Sequence, residues 1–203
     1  NIMINKIGIL KLENCGNISS LKNSFEYCGA SIKFIENRND FKNIDKILIP
    51  GVGSFSEFRK NLNNKDIFED LLANVEKKPT LGICIGMQVL GKKSEENGIN
   101  EGLNIFDCNI VKIKTSKKLP IIGYNNINVL KKSDLTKNIN EKDLFYFMHS
   151  YAVETSKNDI ANVKYYDTFY TSIIAKDHIF GVQFHIEKSK ESGLKIIQNF
   201  LKL

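Results

Sequence analysis

Short apolar runs alternate with segments of helical spacing along the first half of the chain. The apolar runs predict buried strands over residues 7–10, 31–35, 46–49 and 80–83. Apolar positions three and four residues apart predict helices over residues 19–28, 54–62 and 66–75. Strands that alternate with helices are typical of an α/β protein with a mostly parallel sheet.

The second half, from about residue 104 to residue 186, has a different pattern. Short strands are predicted over residues 110–113, 145–148, 171–175 and 179–184. Such a run is typical of antiparallel strands added at the edge of a parallel sheet. Residues 189–201 predict a closing helix, with Ser189 as its cap and an apolar face formed by Leu194, Ile197 and Leu201. Because no repeat or linker separates these segments, we expect one domain over residues 1–203.

Composition narrows the class of partner. The chain has 203 residues, of which 42% are hydrophobic and 26% are charged, as in ordinary globular domains. No apolar run approaches the roughly 20 residues of a membrane span, and the N-terminus lacks a secretory pattern. The net charge of +6 includes lysine clusters over residues 112–118 and 131–132 that lack interleaved aromatic side chains. We therefore expect neither a membrane nor a nucleic acid as a partner.

One predicted strand ends in a motif that carries chemistry. Residues 82–86 (Gly-Ile-Cys-Ile-Gly) join the strand over residues 80–83 to a helix. Glycines on both sides of Cys84 permit a sharp turn that holds the thiol at the carboxyl end of the strand. The N-terminus of the helix favours a thiolate and a developing oxyanion. In isolation this motif would favour a buried cysteine at a strand-helix turn over a nucleophile.

A catalytic cysteine needs a base, and the chain has three histidines. His185 ends a strand pattern, and Glu187 is spaced so that its carboxylate can hold the imidazole N–H. The alternative for this pair is a strand-end ion pair on the surface. His178 is expected in a hairpin turn. His149 follows a buried strand, where it either lines a site or is structural.

The four cysteines limit the chemistry further. Cys15, Cys28, Cys84 and Cys108 contain no Cys-x-x-Cys pair, which argues against a zinc site and a redox dithiol. We expect no metal and no cofactor. Thiolate chemistry requires a reducing compartment, so a cytoplasmic location is expected.

Four segments, taken together, resemble the class I (triad) glutamine amidotransferases. They are residues 50–55 (Pro-Gly-Val-Gly-Ser-Phe), 82–88 (Gly-Ile-Cys-Ile-Gly-Met-Gln), 146–151 (Tyr-Phe-Met-His-Ser-Tyr) and 183–189 (Gln-Phe-His-Ile-Glu-Lys-Ser). The first and third narrow the resemblance to the HisH family, the glutaminase subunits of imidazole glycerol phosphate synthase. The resemblance runs from about Ile7 to the C-terminus. It implies the three-layer, flavodoxin-like α/β fold of that class, with a mostly parallel central sheet and added antiparallel strands.

The resemblance also implies roles and a partner. Cys84, His185 and Glu187 would form the triad that hydrolyses glutamine to glutamate and ammonia. Backbone N–H groups of Ile85 and of Gly53 or Val52 would form the oxyanion hole. Glutamine would be bound by Gln88, Glu96, Ser150 and Tyr151. The partner would be a (βα)8-barrel cyclase subunit, HisF, and the residues facing it or gating the ammonia would be Lys188, Tyr146, Asn17 and Tyr124.

The chain departs from the HisH pattern at three places. Ile186 stands where the family usually has proline, Tyr124 where it usually has tryptophan, and residues 11–15 replace the usual Asp-Tyr-Gly start of a loop. The triad positions are intact, so the departures concern the acceptor of the ammonia. They leave open a HisH-like paralogue that supplies ammonia for the amidination of a bacterial surface sugar, in which an acetamidino group is formed. A cysteine peptidase or DJ-1-like protein and a non-catalytic subunit are alternatives of other classes.

Overall fold

The computed structural model describes residues 5–13 and 18–203, so Cys15 and Asn17 lie outside the described residues. The strands are β1 Lys6–Leu10, β2 Ser31–Ile35, β3 Lys46–Ile49, β4 Thr80–Ile83, β5 Lys93–Ser94, β6 Asn100–Glu101, β7 Asn109–Lys112, β8 Ile121–Asn125, β9 Asn128–Val129, β10 Phe145–His149, β11 Tyr151–Val153, β12 Asp159–Tyr165, β13 Thr168–Lys176 and β14 Ile179–Val182. The α-helices are α1 Ile18–Tyr27, α2 Phe55–Asn64, α3 Phe68–Val75, α4 Ile85–Val89 and α5 Lys190–Leu201.

The central sheet has eight strands in the order β2-β1-β3-β4-β14-β13-β12-β9. The first five are parallel, and β13, β12 and β9 continue the sheet in antiparallel fashion. The strands β8 and β10 form a separate antiparallel ribbon, and β11-β7-β5-β6 form a third, small sheet. The predicted α/β class with a mostly parallel sheet and added antiparallel strands is confirmed.

The elements of the first half match their predicted bounds within two residues. The prediction for the second half was wrong for β14, which pairs in parallel with β4 instead of lying only among antiparallel strands at the edge. All four residues of β14 are buried and apolar or glycine, as expected for an internal strand of a parallel sheet. The strands β7 and β10 lie outside the central sheet altogether.

Six of the described strands were not predicted, namely β5, β6, β8, β9, β11 and β12. In β12 the buried positions include Asp159, while Ile160 is only half-buried, and the pairing with β13 shifts register near Ala161. Apolar and polar residues alternate only over residues 161–165, because at the start of the strand polar Asp159 takes the buried position and apolar Ile160 the less buried one, so the strand pattern is short.

The closing helix also differs from its prediction in detail. Its buried apolar residues are Ile196, Ile197 and Phe200, whereas Leu194 and Leu201 are half-buried. Ser189 stands at the predicted N-cap position, but its side chain makes no capping hydrogen bond, because its hydroxyl donates to the carbonyl of His185 at 2.6 Å and accepts from the N–H of Tyr146 at 3.0 Å. That serine therefore fixes the backbone around His185 instead.

The helices pack through their apolar faces onto one continuous core cluster. The α1 and α5 helices meet through Phe25 and Phe200, whose rings are 6.4 Å apart edge to face. Among the described residues, no helix combines the length and apolarity needed to cross a membrane.

Glycine allows α4 to lie directly against the end of β3. A Cβ on Gly86 would overlap the carbonyl oxygen of Ile49, and a Cβ on Gly82 would lie 2.5 Å from the carbonyl oxygen of Gly86. The flanking glycines thus permit close backbone contact, while Cys84 itself takes the left-handed conformation, with φ of 55°.

Replacing Gly86 by alanine is expected to lower the free energy of unfolding by about 3 kcal/mol or more, because the added methyl meets a backbone carbonyl that cannot move aside. Gly29→Ala is the matched control, since Gly29 has φ of 91° and its Cβ would meet no atom within 4 Å. It should cost about 1–2 kcal/mol, the strain of a left-handed alanine. Urea unfolding measures both variants, and equal losses would contradict the close contact at Gly86.

Candidate active site

The carboxyl ends of β4 and β14 bring the sequence-predicted nucleophile and base together. Parallel neighbours end at the same edge of a sheet, and here the N–H of Cys84 donates to the carbonyl of Val182 at 2.8 Å. His185 follows three residues after Val182, and its N–H donates to the carbonyl of Tyr146 at 2.8 Å. The histidine is therefore held between the central sheet and the β8-β10 ribbon.

Cys84 occupies the turn between β4 and α4 with φ of 55° and ψ of −112°. A non-glycine residue in such a conformation stores strain and is often part of a functional site. The thiol is buried, and the N–H of Ile85, at the first position of α4, has no acceptor within the helix. This N–H is the kind of donor that an oxyanion needs.

His185 is paired with Glu187 on the side away from the cavity. Its Nδ1 lies 2.9 Å from Oε1 of Glu187, and the imidazole is almost completely buried. A carboxylate only accepts, so Nδ1 carries a proton, and Nε2 is the nitrogen left to exchange a proton with a reacting group. Within the described part of the chain, Nε2 has no hydrogen-bond partner. Burial alone would lower the pKa of His185, but interactions with Cys84 and Glu187 raise it well above its ordinary value.

A cavity of about 260 Å³ opens beside Cys84, near the lower end of the size range of small-molecule sites. It is lined by nine of the residues singled out from the sequence, namely Val52, Gly53, Cys84, Ile85, Gln88, Glu96, Ser150, Tyr151 and His185. His149, which was left open between a lining and a structural role, also lines it. Pro120 and Met148 complete the lining and were not foreseen.

Gln88 is fully buried at the wall of this cavity. Its Nε2 donates to the carbonyl of Tyr151 at 2.7 Å and to Oε1 of Gln183 at 3.0 Å. Its Oε1 is buried without a partner among the described residues. Buried polar atoms are almost always hydrogen-bonded in folded proteins, so this oxygen is available to accept a hydrogen bond from an N–H of a ligand.

Gln183 is a site residue that the sequence interpretation missed. Its side chain is completely buried, and its Nε2 donates to Sγ of Cys84 at 3.7 Å. Gln183 directly follows β14, and β14 lies next to β4, the strand that ends at Cys84. The sequence could not show this, because only the order of strands in the sheet places β14 beside β4.

His149 is held at both ring nitrogens. Its Nδ1 lies 2.9 Å from the carbonyl of Tyr151, which fixes Nδ1 as a donor, and its Nε2 accepts from the hydroxyl of Tyr165 at 2.8 Å. Burial, with a smaller contribution from the charge of His185, lowers the pKa of His149 to about 4, against the hydrogen bond to Tyr151, which raises it. His149 is thus a neutral structural wall of the cavity. His178 lies in the turn between β13 and β14, as predicted.

The turn between β3 and α2 faces Cys84 across the cavity. Gly53 has φ of 88°, a conformation that favours glycine. The N–H of Phe55, two residues on, donates to Oε2 of Glu96 at 2.8 Å. Glu96 therefore ties the turn to the wall of the same cavity.

Three of the four residues expected at the partner face or gate contact one another. The rings of Tyr124 and Tyr146 are 5.3 Å apart, and the hydroxyl of Tyr124 donates to the carbonyl of Lys188 at 3.0 Å. Nζ of Lys188 lies 5.4 Å from the centre of the Tyr146 ring. The cluster lies beside His185, whose ring is 6.4 Å from that of Tyr146. The fourth residue, Asn17, is outside the described residues.

Comparison with known proteins relates this arrangement to one family. The family model described as glutamine amidotransferase class-I matches residues 11–203. The chain is 39% identical over 192 residues to a Campylobacter jejuni (strain RM1221) protein named imidazole glycerol phosphate synthase subunit HisH 1, covering 93% of this chain and 96% of that protein. It is 42% identical over 192 residues to the HisH subunit of Blochmanniella floridana, covering 94% and 96% of the two chains.

The fold agrees with this relation. The solved structure of PurLQS from Thermotoga maritima superposes with a TM-score of 0.75 at 16% identity, over 98% of this chain and 99% of that chain. The peptidase, DJ-1-like and sugar-amidination alternatives are not favoured by these relatives. The chain belongs to the class-I glutamine amidotransferases and, within them, to the HisH family.

Proposed function

We propose that this chain is the glutaminase subunit of an imidazole glycerol phosphate synthase, with Cys84, His185 and Glu187 as its catalytic triad. The observation that carries the proposal is the meeting of a strained, buried cysteine and a histidine with a free Nε2 at one cavity, with a carboxylate on the far side of the imidazole. Nucleophile, base and orienting carboxylate are the parts that amide hydrolysis by cysteine requires.

The reaction follows from this geometry in two halves. The thiolate of Cys84 attacks the side-chain amide carbon of glutamine, and the carbonyl electrons move onto the oxygen. The N–H groups of Ile85 and of Gly53 or Val52 stabilise that oxyanion. His185 gives its proton to the leaving nitrogen, and the carbon–nitrogen bond breaks. Ammonia is released, and the glutamyl group stays on Cys84 as a thioester. His185 then takes a proton from water, which attacks the thioester and releases glutamate.

His185, and not His149, is the base because only His185 has a ring nitrogen to spare. Both nitrogens of His149 are engaged, and its lowered pKa keeps it neutral at physiological pH. Glu187 holds His185 in the reactive tautomer and stabilises the imidazolium.

We assign glutamine binding to Gln88, Glu96, Ser150 and Tyr151. The unpartnered Oε1 of Gln88 is suited to accept an N–H of the substrate. Glu96 lines the cavity as a carboxylate, which suits the α-ammonium group. Because Glu96 also accepts from the N–H of Phe55, substrate binding and the oxyanion turn are mechanically connected.

We propose that the partner, a (βα)8-barrel cyclase, docks on the β8-β10 ribbon. Tyr124 pairs with Tyr146 and Ile122 with Met148, so the four side chains share one face. Ile122 and Tyr124 are 62% and 44% exposed, an apolar surface of the kind that marks interfaces. Met148 also lines the cavity, so ammonia would be released next to the docked partner. In this proposal the chain works as one domain in the cytoplasm, where its thiol stays reduced.

Cys84→Ala is expected to abolish glutamate production from glutamine, because the nucleophile is lost. Glu187→Gln should lower kcat by about 100-fold or more, since an amide can no longer enforce the tautomer with Nε2 free. Cys28→Ala is the matched control and should keep full activity. Cys28 is a half-buried free cysteine, and it does not line the cavity beside Cys84. Retained hydrolysis in Cys84→Ala would refute the triad.

The lowered pKa of His149 leads to a prediction for how the stability depends on pH. Above pH 6.5 His149 is neutral in the folded and the unfolded chain and contributes no pH dependence. As the pH falls from 6.5 to 4, only the unfolded state takes up the proton, because the folded pKa is about 4. Wild-type protein should therefore lose about 3 kcal/mol relative to His149→Gln over this range. Urea unfolding at a series of pH values measures the difference, and parallel curves would show that His149 is not held neutral.

The pathway is tested by measuring glutamate production with and without the cyclase subunit of the same organism and its ribonucleotide substrate. We expect weak activity alone and strong stimulation by the complete mixture. Activity that depends on Cys84 but is not stimulated would keep the glutaminase and overturn the proposed partner.

The docking face has its own test. Ile122→Glu should weaken the apparent affinity for the cyclase by about tenfold or more, because it places a charge at the centre of an apolar contact. Val129→Glu is the control, since Val129 is 41% exposed on β9 at the far edge of the central sheet. Equal behaviour of the two variants would place the partner elsewhere.

A further inference from the structure

We infer that Gln183 is a thiolate-stabilising residue of this active site, donating an amide N–H to Sγ of Cys84. The inference rests on the proposed role of Cys84 as nucleophile and adds a third side chain that acts on it. Nε2 of Gln183 lies 3.7 Å from Sγ, and the amide is completely shielded from solvent.

The orientation of the Gln183 amide is determined by a chain of hydrogen bonds. The carbonyl of Tyr151 can only accept, so Gln88 must present its Nε2 there. The same Nε2 donates to Oε1 of Gln183, which leaves the NH₂ group of Gln183 facing Cys84. Rotating either amide by 180° would place two donors or two acceptors against each other.

The anchor of this chain is rigid. The carbonyl of Tyr151 also accepts from Nδ1 of His149, whose other nitrogen accepts from Tyr165. The backbone N–H of Gln183 donates to the carbonyl of Ser172 on β13 at 2.9 Å. Gln183 is therefore fixed from both its backbone and its side chain before the thiol ionises.

The chemical consequence concerns the protonation state of Cys84. An amide N–H stabilises a thiolate more than a thiol, because hydrogen bonds to a charged acceptor are stronger. In a buried site no water replaces a donor that is removed. Gln183 thus favours the reactive thiolate, together with His185 and the N-terminus of α4.

Two substitutions separate this role from a packing role. Gln183→Met keeps the length of the side chain but has no donor, and Gln183→Glu keeps the oxygen that accepts from Gln88 but brings a carboxylate towards Sγ. We expect the rate of Cys84 alkylation by iodoacetamide at pH 7 to fall about tenfold in Gln183→Met and further in Gln183→Glu. The acid limb of the alkylation profile should move to higher pH in both, and kcat for glutamine should fall more than KM rises.

The opposite result is equally clear. If Gln183 only holds Gln88 in place, Gln183→Glu will alkylate like the wild type while Gln183→Met is impaired, and the inference is overturned. Gln198→Met, on the exposed side of α5, is the matched control and should match the wild type. If wild-type Cys84 reacts no faster than Cys28 in the same protein, the proposed function fails, and that outcome is distinct from equal rates in the Gln183 variants.

A measurement on the wild type avoids reliance on the folding of the variants. The chain has only three glutamines, so a ¹⁵N-glutamine sample gives three pairs of side-chain amide signals. The Gln183 pair should shift as Cys84 titrates, and the Gln198 pair should not. A Gln183 signal that ignores the ionisation of Cys84 would overturn the inference.

Discussion

The site depends on one constraint, the parallel pairing of β4 with β14. This pairing aligns the carboxyl ends of two strands that are about 100 residues apart in sequence, and the hydrogen bond from Cys84 N–H to Val182 locks them together. This pairing also places the side chains that lie near the thiol, because Gln183 comes directly after β14 and His185 two residues later. A slip in register would move these side chains away from Cys84 and turn alternate residues to the opposite face.

The buried polar atoms that lack partners indicate where the ligand belongs. Of the five such side-chain atoms in the described part of the chain, three lie within or next to the cavity of Cys84, namely Oε1 of Gln88, Nε2 of His185 and Oε2 of Glu187. An unpaired buried polar group costs about 1–3 kcal/mol, so a fold keeps several together only where something else compensates. In the proposed function the substrate and the reaction supply that compensation, whereas the NH₂ group of Gln88 is already paired with Gln183 and with the carbonyl of Tyr151.

Sequence interpretation succeeded where chemistry is local. The strand-turn-helix around Cys84, the pair His185 and Glu187, and the strands of the first half depend on neighbours within a few residues, which periodicity and motif spacing can read. It failed for β12, where polar Asp159 is buried and apolar Ile160 is less buried at the start of the strand, and for Ser189, whose hydroxyl binds the backbone of Tyr146 and His185 instead of capping the helix. A serine hydroxyl has several local options, and tertiary contacts decide among them.

The sequence by itself determined the α/β class and the family, and it predicted Cys84 as nucleophile with His185 as base, because each of these depends on short segments with few alternative conformations. Only the tertiary structure decided that β14 lies beside β4, that β8 and β10 form a ribbon outside the main sheet, and that Gln183 reaches Sγ of Cys84. Those relations join residues far apart in sequence. They are set by which buried faces fit together and by the need to pair every buried backbone group, and neither appears in any local pattern.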